Sequence, residues 1–105
     1  MTITNTSFQT GTILHTSTVN QSAQENPVFA LFLMQSINRH KDNDWGDCCE
    51  TDWEMNDTAI TEKNRIFSVY HLPQDLKKLH RDEKIWVITE GDRSYTTILF
   101  PSGAP

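Results

Sequence analysis

The chain has 105 residues, a net charge of −5 and 36% hydrophobic residues, which together predict one small domain (residues 1–105) with its own core. Strong apolar segments argue against wholesale disorder, and the acidic balance argues against nucleic-acid binding through a broad basic face. The longest apolar run is too short to span a bilayer, and residues 1–22 lack signal-peptide features. We therefore expect a cytoplasmic protein, with flexible tails at residues 1–7 and 102–105.

The first quarter of the chain predicts a strand. Residues 8–19, FQTGTILHTSTV, are rich in threonine and β-branched side chains, which are typical of strands. Residues 20–25 are polar and are interpreted as a connector. Asn26 suits the N-cap of a helix and Pro27 its first position, so we predict a helix from Pro27 to about His40.

The apolar residues of this helix divide into two groups. At 100° per residue, Phe29, Ala30, Leu33, Met34 and Ile37 form one stripe, which we expect to face the core. The other apolar residues of the first two turns lie outside the stripe, so they are either buried under a second element or form a contact with a partner or a second copy. These possible oligomer contacts are Val28, Leu31 and Phe32.

A second helix is predicted from about Cys49 into the low sixties. Gly46 indicates a turn, and Asp47 is placed to cap the helix. Acidic residues in the first turns, such as Glu50 and Asp52, interact favourably with the positive end of the helix dipole.

The remaining residues favour three strands: 65–72, 84–89 and 94–101. The last two form a hairpin through the link 90–93, and the polar stretch 73–83 has room for one helical turn. The sequence therefore predicts an α+β fold, in which a mainly antiparallel sheet of about four strands carries two helices on one face, in the order β-α-α-β-β-β.

The sequence contains only weak evidence for a metal-binding or catalytic site. Asp42, Asp44 and Gly46 resemble part of a calcium loop, but glycine falls at position five, where the EF-hand pattern needs a ligand. The adjacent Cys48 and Cys49 lack the spacing of zinc-ligand cysteines and are expected to be free thiols. No nucleophile motif, P-loop or dinucleotide fingerprint occurs. The sequence therefore predicts no enzyme, cofactor or metal, and a small metal-dependent enzyme is the least favoured alternative.

Asp92 and Arg93 lie at the expected tip of the hairpin. The pair suits either ligand binding or, as we favour, stabilisation of the turn. In the second case, Asp92 would accept from backbone amides and Arg93 would pair with a nearby carboxylate.

One stretch of the chain concentrates its negative charge. Residues 42–62 contain eight acids and neither lysine nor arginine, whereas the flanking parts carry net charges of +1 and +2. The stretch is either a solvated helix face or a binding surface for a basic partner, and its tryptophans are of the type enriched at binding hot spots. The predicted partner-binding residues are Asp42, Asp44, Trp45, Asp47, Glu50, Asp52, Trp53, Glu54 and Asp57.

Several segments carry a resemblance to a known family: residues 45–47 (WGD), 65–70, 85–90 (IWVITE), 92–94 (DRS) and 96–99 (TTIL). Over about residues 11–101, the chain resembles small bacterial proteins of plasmids, phages and integrated elements, often labelled plasmid-related proteins or type I restriction–modification subunits. The resemblance implies carriage on mobile elements in a bacterial cell, and it brings no established activity. The last four residues and the Cys48-Cys49 pair depart from the family pattern.

These observations favour a non-enzymatic inhibitor of a host nucleic-acid-targeting defence protein, of the anti-CRISPR or anti-restriction type. Its acids would stand in for phosphates in a basic cleft of that protein. The hypothesis requires the carboxylates to face outward rather than to pair with lysines and arginines of the sheet. The alternative is a homo-oligomeric interaction module that uses the apolar residues of the first helix.

Overall fold

A computed structural model describes residues 8–78, 80 and 82–103. The tails predicted at residues 1–7 and at 104 and 105 lie outside this part of the chain. The elements, in chain order, are β1 (Thr12–His15), α1 (Ser17–Glu25), α2 (Pro27–Lys41), α3 (Glu50–Glu62), β2 (Ile66–His71), α4 (Gln74–Lys77), β3 (Lys84–Thr89), β4 (Tyr95–Leu99) and a 3₁₀ turn (Pro101–Gly103).

The four strands form one mixed sheet in the order β1-β4-β3-β2. The pairs β2–β3 and β3–β4 are antiparallel, with Phe67 opposite Ile88 and Trp86 opposite Leu99. β1 runs parallel to β4. In this strand order, β1 and β2 are the two edge strands of the sheet. The predicted α+β class and the C-terminal hairpin are thus confirmed, and the sheet is mainly but not wholly antiparallel.

The main core lies between one face of the sheet and the helices. Inward-facing residues of β2, β3 and β4 alternate with half-exposed residues of the opposite face, as the period of two requires. The buried cluster consists of Val19, Phe29, Phe32, Leu33, Ile37, Tyr70, Leu72, Leu76, Ile85, Val87, Ile98 and Phe100.

The predicted strand at residues 8–19 is wrong over most of its length. Only Thr12–His15 form a strand, and Ser17–Glu25, including the expected connector, form α1. Val19 is fully buried and Ala23, four residues later, packs beside the same cluster. Burial of this short i, i+4 pair therefore outweighs the strand preference of the threonines.

The helix α2 is confirmed, but its buried face is rotated from the predicted one. The Asn26 side chain accepts hydrogen bonds from the backbone N–H groups of Val28 and Phe29, as expected of an N-cap. Phe32 is buried, so its predicted oligomer contact is wrong, whereas Met34, predicted to face the core, is exposed. The face turned to the sheet consists of Phe29, Phe32, Leu33, Ser36, Ile37 and His40.

The predicted flexible tail is wrong at Ser102. Its hydroxyl donates to the carboxylate of Asp82 over 2.6 Å, and the turn Pro101–Gly103 packs near β3. Within the described residues, no helix is both long and apolar enough to cross a membrane.

Candidate functional site

A second, smaller cluster lies at the β2 end of the sheet and supports the acidic stretch. Trp45, Ala59 and Ile66 are buried there, and Phe8 and Trp53 pack against them. The cluster fastens α3 to the sheet, so that α3 lies beside the outermost strand.

The loop before α3 pairs with the outer edge of β2. Val69 donates its backbone N–H to the carbonyl of Trp45 (3.1 Å), and Asp47 donates its backbone N–H to the carbonyl of Val69 (2.7 Å). Gly46 lies between them with φ +75°, and a Cβ there would collide with the Val69 carbonyl oxygen. Only glycine therefore fits this close approach.

The side chain of Asn56, on α3, hydrogen-bonds to the backbone of Phe67 on the same edge of β2. Its amide nitrogen donates to the Phe67 carbonyl (2.7 Å), and its amide oxygen accepts from the Phe67 backbone N–H (3.0 Å). The Cys48 thiol also donates to this carbonyl, and burial raises the pKa of that thiol. An edge strand whose groups are satisfied in this way is a poor template for unwanted strand pairing.

Two acids of the stretch are hydrogen-bonded to basic side chains within the fold. The Arg39 guanidinium donates to the carboxylate of Asp44 (2.7 Å), and this bond lowers the pKa of Asp44. Asp47 accepts from both the ring and the backbone N–H of His71, and the ring contact lowers the pKa of Asp47. The predicted N-cap role of Asp47 is therefore wrong: Cys49 occupies the N-cap, without a side-chain hydrogen bond.

The acids of α3 point into solvent. We call Glu50, Asp52, Glu54, Asp57 and Glu62 the acidic face; all five are exposed, and none forms an ion pair within residues 8–78, 80 and 82–103. Asp42 is also exposed, at the end of α2. The outward display that the binding hypothesis requires is therefore present for five of these six residues, whereas Asp57 is exposed but turns one carboxylate oxygen toward the fold.

Trp45 cannot serve as the exposed anchor predicted for it. The side chain is fully buried, and its indole N–H donates to the carboxylate of Asp57 over 2.9 Å. Since this carboxylate reaches in from the acidic face, it satisfies the one polar atom of the buried ring. Trp53 is half-buried and contacts the same cluster, so it offers a partner only part of its surface.

Asp92 and Arg93 form the β3–β4 turn. Asp92 accepts from the backbone N–H and the hydroxyl of Ser94, and the hydroxyl bond lowers the pKa of Asp92. Arg93 donates to the backbone carbonyls of Ala59, Asn64 and Glu90, rather than to the carboxylate that we expected. The guanidinium thus links the β3–β4 turn to carbonyls at the C-terminal end of α3.

A buried chain of hydrogen-bonded polar groups crosses the sheet under α2, and no sequence pattern predicted it. His40 is fully buried; its Nδ1 hydrogen-bonds to the Ser68 hydroxyl (2.6 Å) and its Nε2 to the Thr89 hydroxyl (2.8 Å). The chain continues from Thr89 to Thr96 (2.6 Å) and on to the backbone carbonyl of Thr10 (2.7 Å). Burial lowers the pKa of His40 to about 4, so the ring is neutral at pH 7.

The serine–histidine contact in this chain is not an active site, because both residues are sealed from solvent. Among the described residues, no three histidine, cysteine, aspartate or glutamate side chains are grouped to hold a metal ion. A groove of about 630 Å³ runs between α3 and β2, and it is lined by Asp52, Glu54, Met55, Ala59, Arg65 and Phe67, among others. This groove adjoins the acidic face and adds an apolar floor to it.

No family model, curated protein or solved structure matches the chain. The resemblance to plasmid-related proteins therefore stays a prediction. The residues that carry it have structural positions: the segment 45–47 closes the edge of β2, Thr89 and Thr96 belong to the buried polar chain, and the segment 92–94 forms the turn.

Proposed function

We propose that this chain is a non-enzymatic inhibitor that binds a basic, nucleic-acid-handling protein through the acidic face. The observation that carries the proposal is the row formed by Glu50, Glu54 and Asp57. Their spacing of four and three residues places them on one side of α3, and all three are exposed. Like charges at this spacing destabilise a helix. Glu50 has a role in folding at the positive end of the helix dipole, and Asp57 has one as the acceptor of the Trp45 indole N–H. Glu54 lies between them and has no ion pair among the described residues, so attraction to a cationic cleft is the reason we give for its charge.

The charge density of α3 resembles that of a nucleic-acid strand. From Glu50 to Glu62 the helix rises roughly 18 Å, at 1.5 Å per residue. Only Glu50, Glu54 and Asp57 share one side of the helix, where they span roughly 10 Å of this rise. These three carboxylates give about one negative charge per 5 Å of axis, compared with about one per 3.4 Å in a single DNA strand. A cleft that binds phosphates would meet a similar density of charge, on a scaffold held rigid by Asn56.

The narrower proposal is that the target belongs to a host defence system, as in anti-CRISPR or anti-restriction inhibition within the bacterial cytoplasm. It rests on the resemblance to mobile-element proteins and on the acidic face together. The half-buried Trp53 and the apolar floor of the neighbouring groove, Met55 and Phe67, would supply the contact that excludes water around the ion pairs.

Affinity capture from a bacterial lysate containing an intact CRISPR or restriction system tests this proposal. The immobilised chain should retain a nucleic-acid-binding protein, and raising the salt concentration or adding DNA should release it. The variant Glu50→Lys/Glu54→Lys should lose the captured protein. We expect at least a tenfold fall in affinity, because two attractive contacts become repulsive.

The matched control is Asp75→Lys/Glu83→Lys. It changes the net charge by the same amount, and it likewise alters one acid in the first turn of a helix, but both residues lie around α4. This control should bind as the wild-type protein does. If both double variants lose binding equally, or if no nucleic-acid-binding protein is captured, the acidic face is not the docking surface.

A further inference from the structure

The outer face of α2 and the edge strand β1 carry exposed apolar side chains. Val28, Leu31 and Met34 of α2 are 58%, 54% and 64% exposed, although each is a large apolar residue. Spaced three residues apart, they form one ridge across the outer face of the helix. Ile13 and Leu14 of β1 are also exposed, so these two elements carry five of the seven large apolar residues that are exposed in the described part of the chain.

An apolar groove lies next to this ridge. It has a volume of about 420 Å³ and opens between β1, α1 and α2. Ile13, Ala23 and Ala30 line it, and Met34 belongs to both the groove and the ridge. A ridge and a groove side by side on one surface are complementary to the same surface of a second molecule related by a two-fold axis.

The charges around this surface favour a second copy over a basic or acidic partner. From Asn26 to Asn38 the chain has no charged residue, so two molecules of net charge −5 can meet there without opposing acids. An exposed acid, Glu25, precedes α2, and an exposed base, Lys41, ends it. Neither forms an ion pair within the part of the chain that the structure describes. Antiparallel packing of α2 against α2 would bring each Lys41 to the Glu25 of the other copy.

We propose that the chain forms a two-fold symmetric homodimer in which the α2 ridge of each copy docks in the groove of the other, with the two α2 helices antiparallel. Neither the ridge nor the groove includes a residue of the acidic face, so the acidic faces are not part of this interface. The dimer depends on the apolar surface and not on the proposed inhibitor function.

Sedimentation equilibrium of the full chain, from micromolar to about 1 mM, tests the dimer. The wild-type protein should show a reversible monomer–dimer equilibrium. Met34→Glu should raise the dimer dissociation constant at least tenfold, because it places an unpaired charge in the interface. The matched control is Met55→Glu, since Met55 is equally exposed (63%) but lies on α3; it should leave the constant unchanged.

A charge-reversal cycle tests the antiparallel arrangement. At low salt, Glu25→Lys alone and Lys41→Glu alone should each weaken the dimer, and the double variant should restore it to within about twofold of wild type. Circular dichroism of every variant confirms that it is folded. A wild-type monomer at all concentrations, a dimer that Met34→Glu leaves intact, or a double variant no better than the single ones would each overturn the proposal. The second result would point instead to the edge of β1 or to residues 1–7 as the element at this surface.

Discussion

At the β2 end of the sheet, backbone groups of Phe67 and Val69 on the outer edge are bonded by the loop and by the Asn56 side chain, and the covering helix is acidic. At the β1 end, all four residues of the edge strand are exposed, and the neighbouring face of α2 is apolar and uncharged. The comparison teaches that this fold separates charge from apolar surface. The acidic side chains lie on α3, which polar contacts hold against β2. The exposed apolar side chains lie on β1 and on the uncharged part of α2.

The two ends are joined by the buried polar chain. It begins at Ser68 on β2, passes through His40, Thr89 and Thr96, and ends at the carbonyl of Thr10, just before β1. Fully satisfied polar groups in a core favour one arrangement of the strands over others, because a shifted register would leave them unpaired. This series of buried hydrogen bonds therefore connects the start of the parallel strand β1 to the antiparallel part of the sheet.

The largest predicted effect concerns the β2 end. Trp45→Ala should lower the free energy of unfolding by about 4 kcal/mol, since it empties the centre of the second cluster. Urea denaturation followed by circular dichroism measures this. At the β1 end, Met34→Ala should change the stability of the monomer by less than about 0.5 kcal/mol. A loss below about 1 kcal/mol for Trp45→Ala would show that the cluster does not hold α3 in place.

The polar chain between the ends makes stability depend on pH. The pKa of His40 is lowered from 6.5 to about 4, chiefly by burial and further by the nearby Arg93. Between these values the unfolded chain binds a proton that the folded chain does not, so stability is full above pH 6.5 and falls as the pH drops toward 4. The total loss is about 3 kcal/mol.

Urea denaturation at several pH values tests this linkage, with His40→Gln as the control. The variant is expected to be less stable at pH 7, because Ser68 and Thr89 lose their partner, but its stability should change far less between pH 6.5 and 4. The paired acids Asp44 and Asp47 lose their contribution only as the pH falls below about 3.8, outside this window. Equal slopes for wild type and variant would exclude His40 as the titrating group.

Asn56→Ala should cost about 2 kcal/mol, because it leaves the N–H of Phe67 without its side-chain partner and the C=O of Phe67 with only the weak Cys48 thiol donor. Hydrogen exchange of the Phe67 amide should become faster in the variant, as the edge of β2 opens. Asn38→Ala is the control from the other end, since Asn38 is exposed on α2; its effect should stay near zero. Unchanged exchange at Phe67 would mean that Asn56 does not protect the edge.

The sequence predicted those parts of the fold that depend on local signals. Asn26 and Pro27 correctly indicated the start of α2, and the apolar run of β3 with its glycine-containing link indicated the hairpin. The helix α1 was missed because its buried face consists only of Val19 and Ala23. The parallel pairing of β1 with β4 joins residues about eighty positions apart, for which no local pattern exists.

The sequence likewise predicted the candidate site only where local signals determine the structure. Exposure of the acids on α3 follows from helix periodicity and a lack of nearby bases, both visible in the sequence. The burial of Trp45 was not foreseeable, because it depends on the carboxylate of Asp57, twelve residues away, receiving the indole N–H. The position of Arg93 likewise depends on where α3 ends in space, since its partners are backbone carbonyls that no side-chain pattern reveals.

The smallest predicted effect tests whether the acidic face serves folding at all. Glu54→Lys replaces a repulsive i, i+4 pair with Glu50 by an attractive pair in the favoured orientation, so it should stabilise the monomer by about 0.5 kcal/mol at low salt. Glu54→Gln, which only removes the repulsion, should gain about half as much. Both gains should shrink in about 1 M salt, where the screening length falls to about 3 Å. Urea denaturation at the two salt concentrations measures them.

A gain in stability on losing an acid would mean that α3 keeps its charge at a cost to the fold, which is the expectation for a surface that binds a partner. The opposite result, in which both variants are less stable than wild type at low salt, would mean that Glu54 interacts favourably within the monomer. The acidic face would then be part of the scaffold, and the contrast between the two ends of the sheet would be one of structure rather than of function.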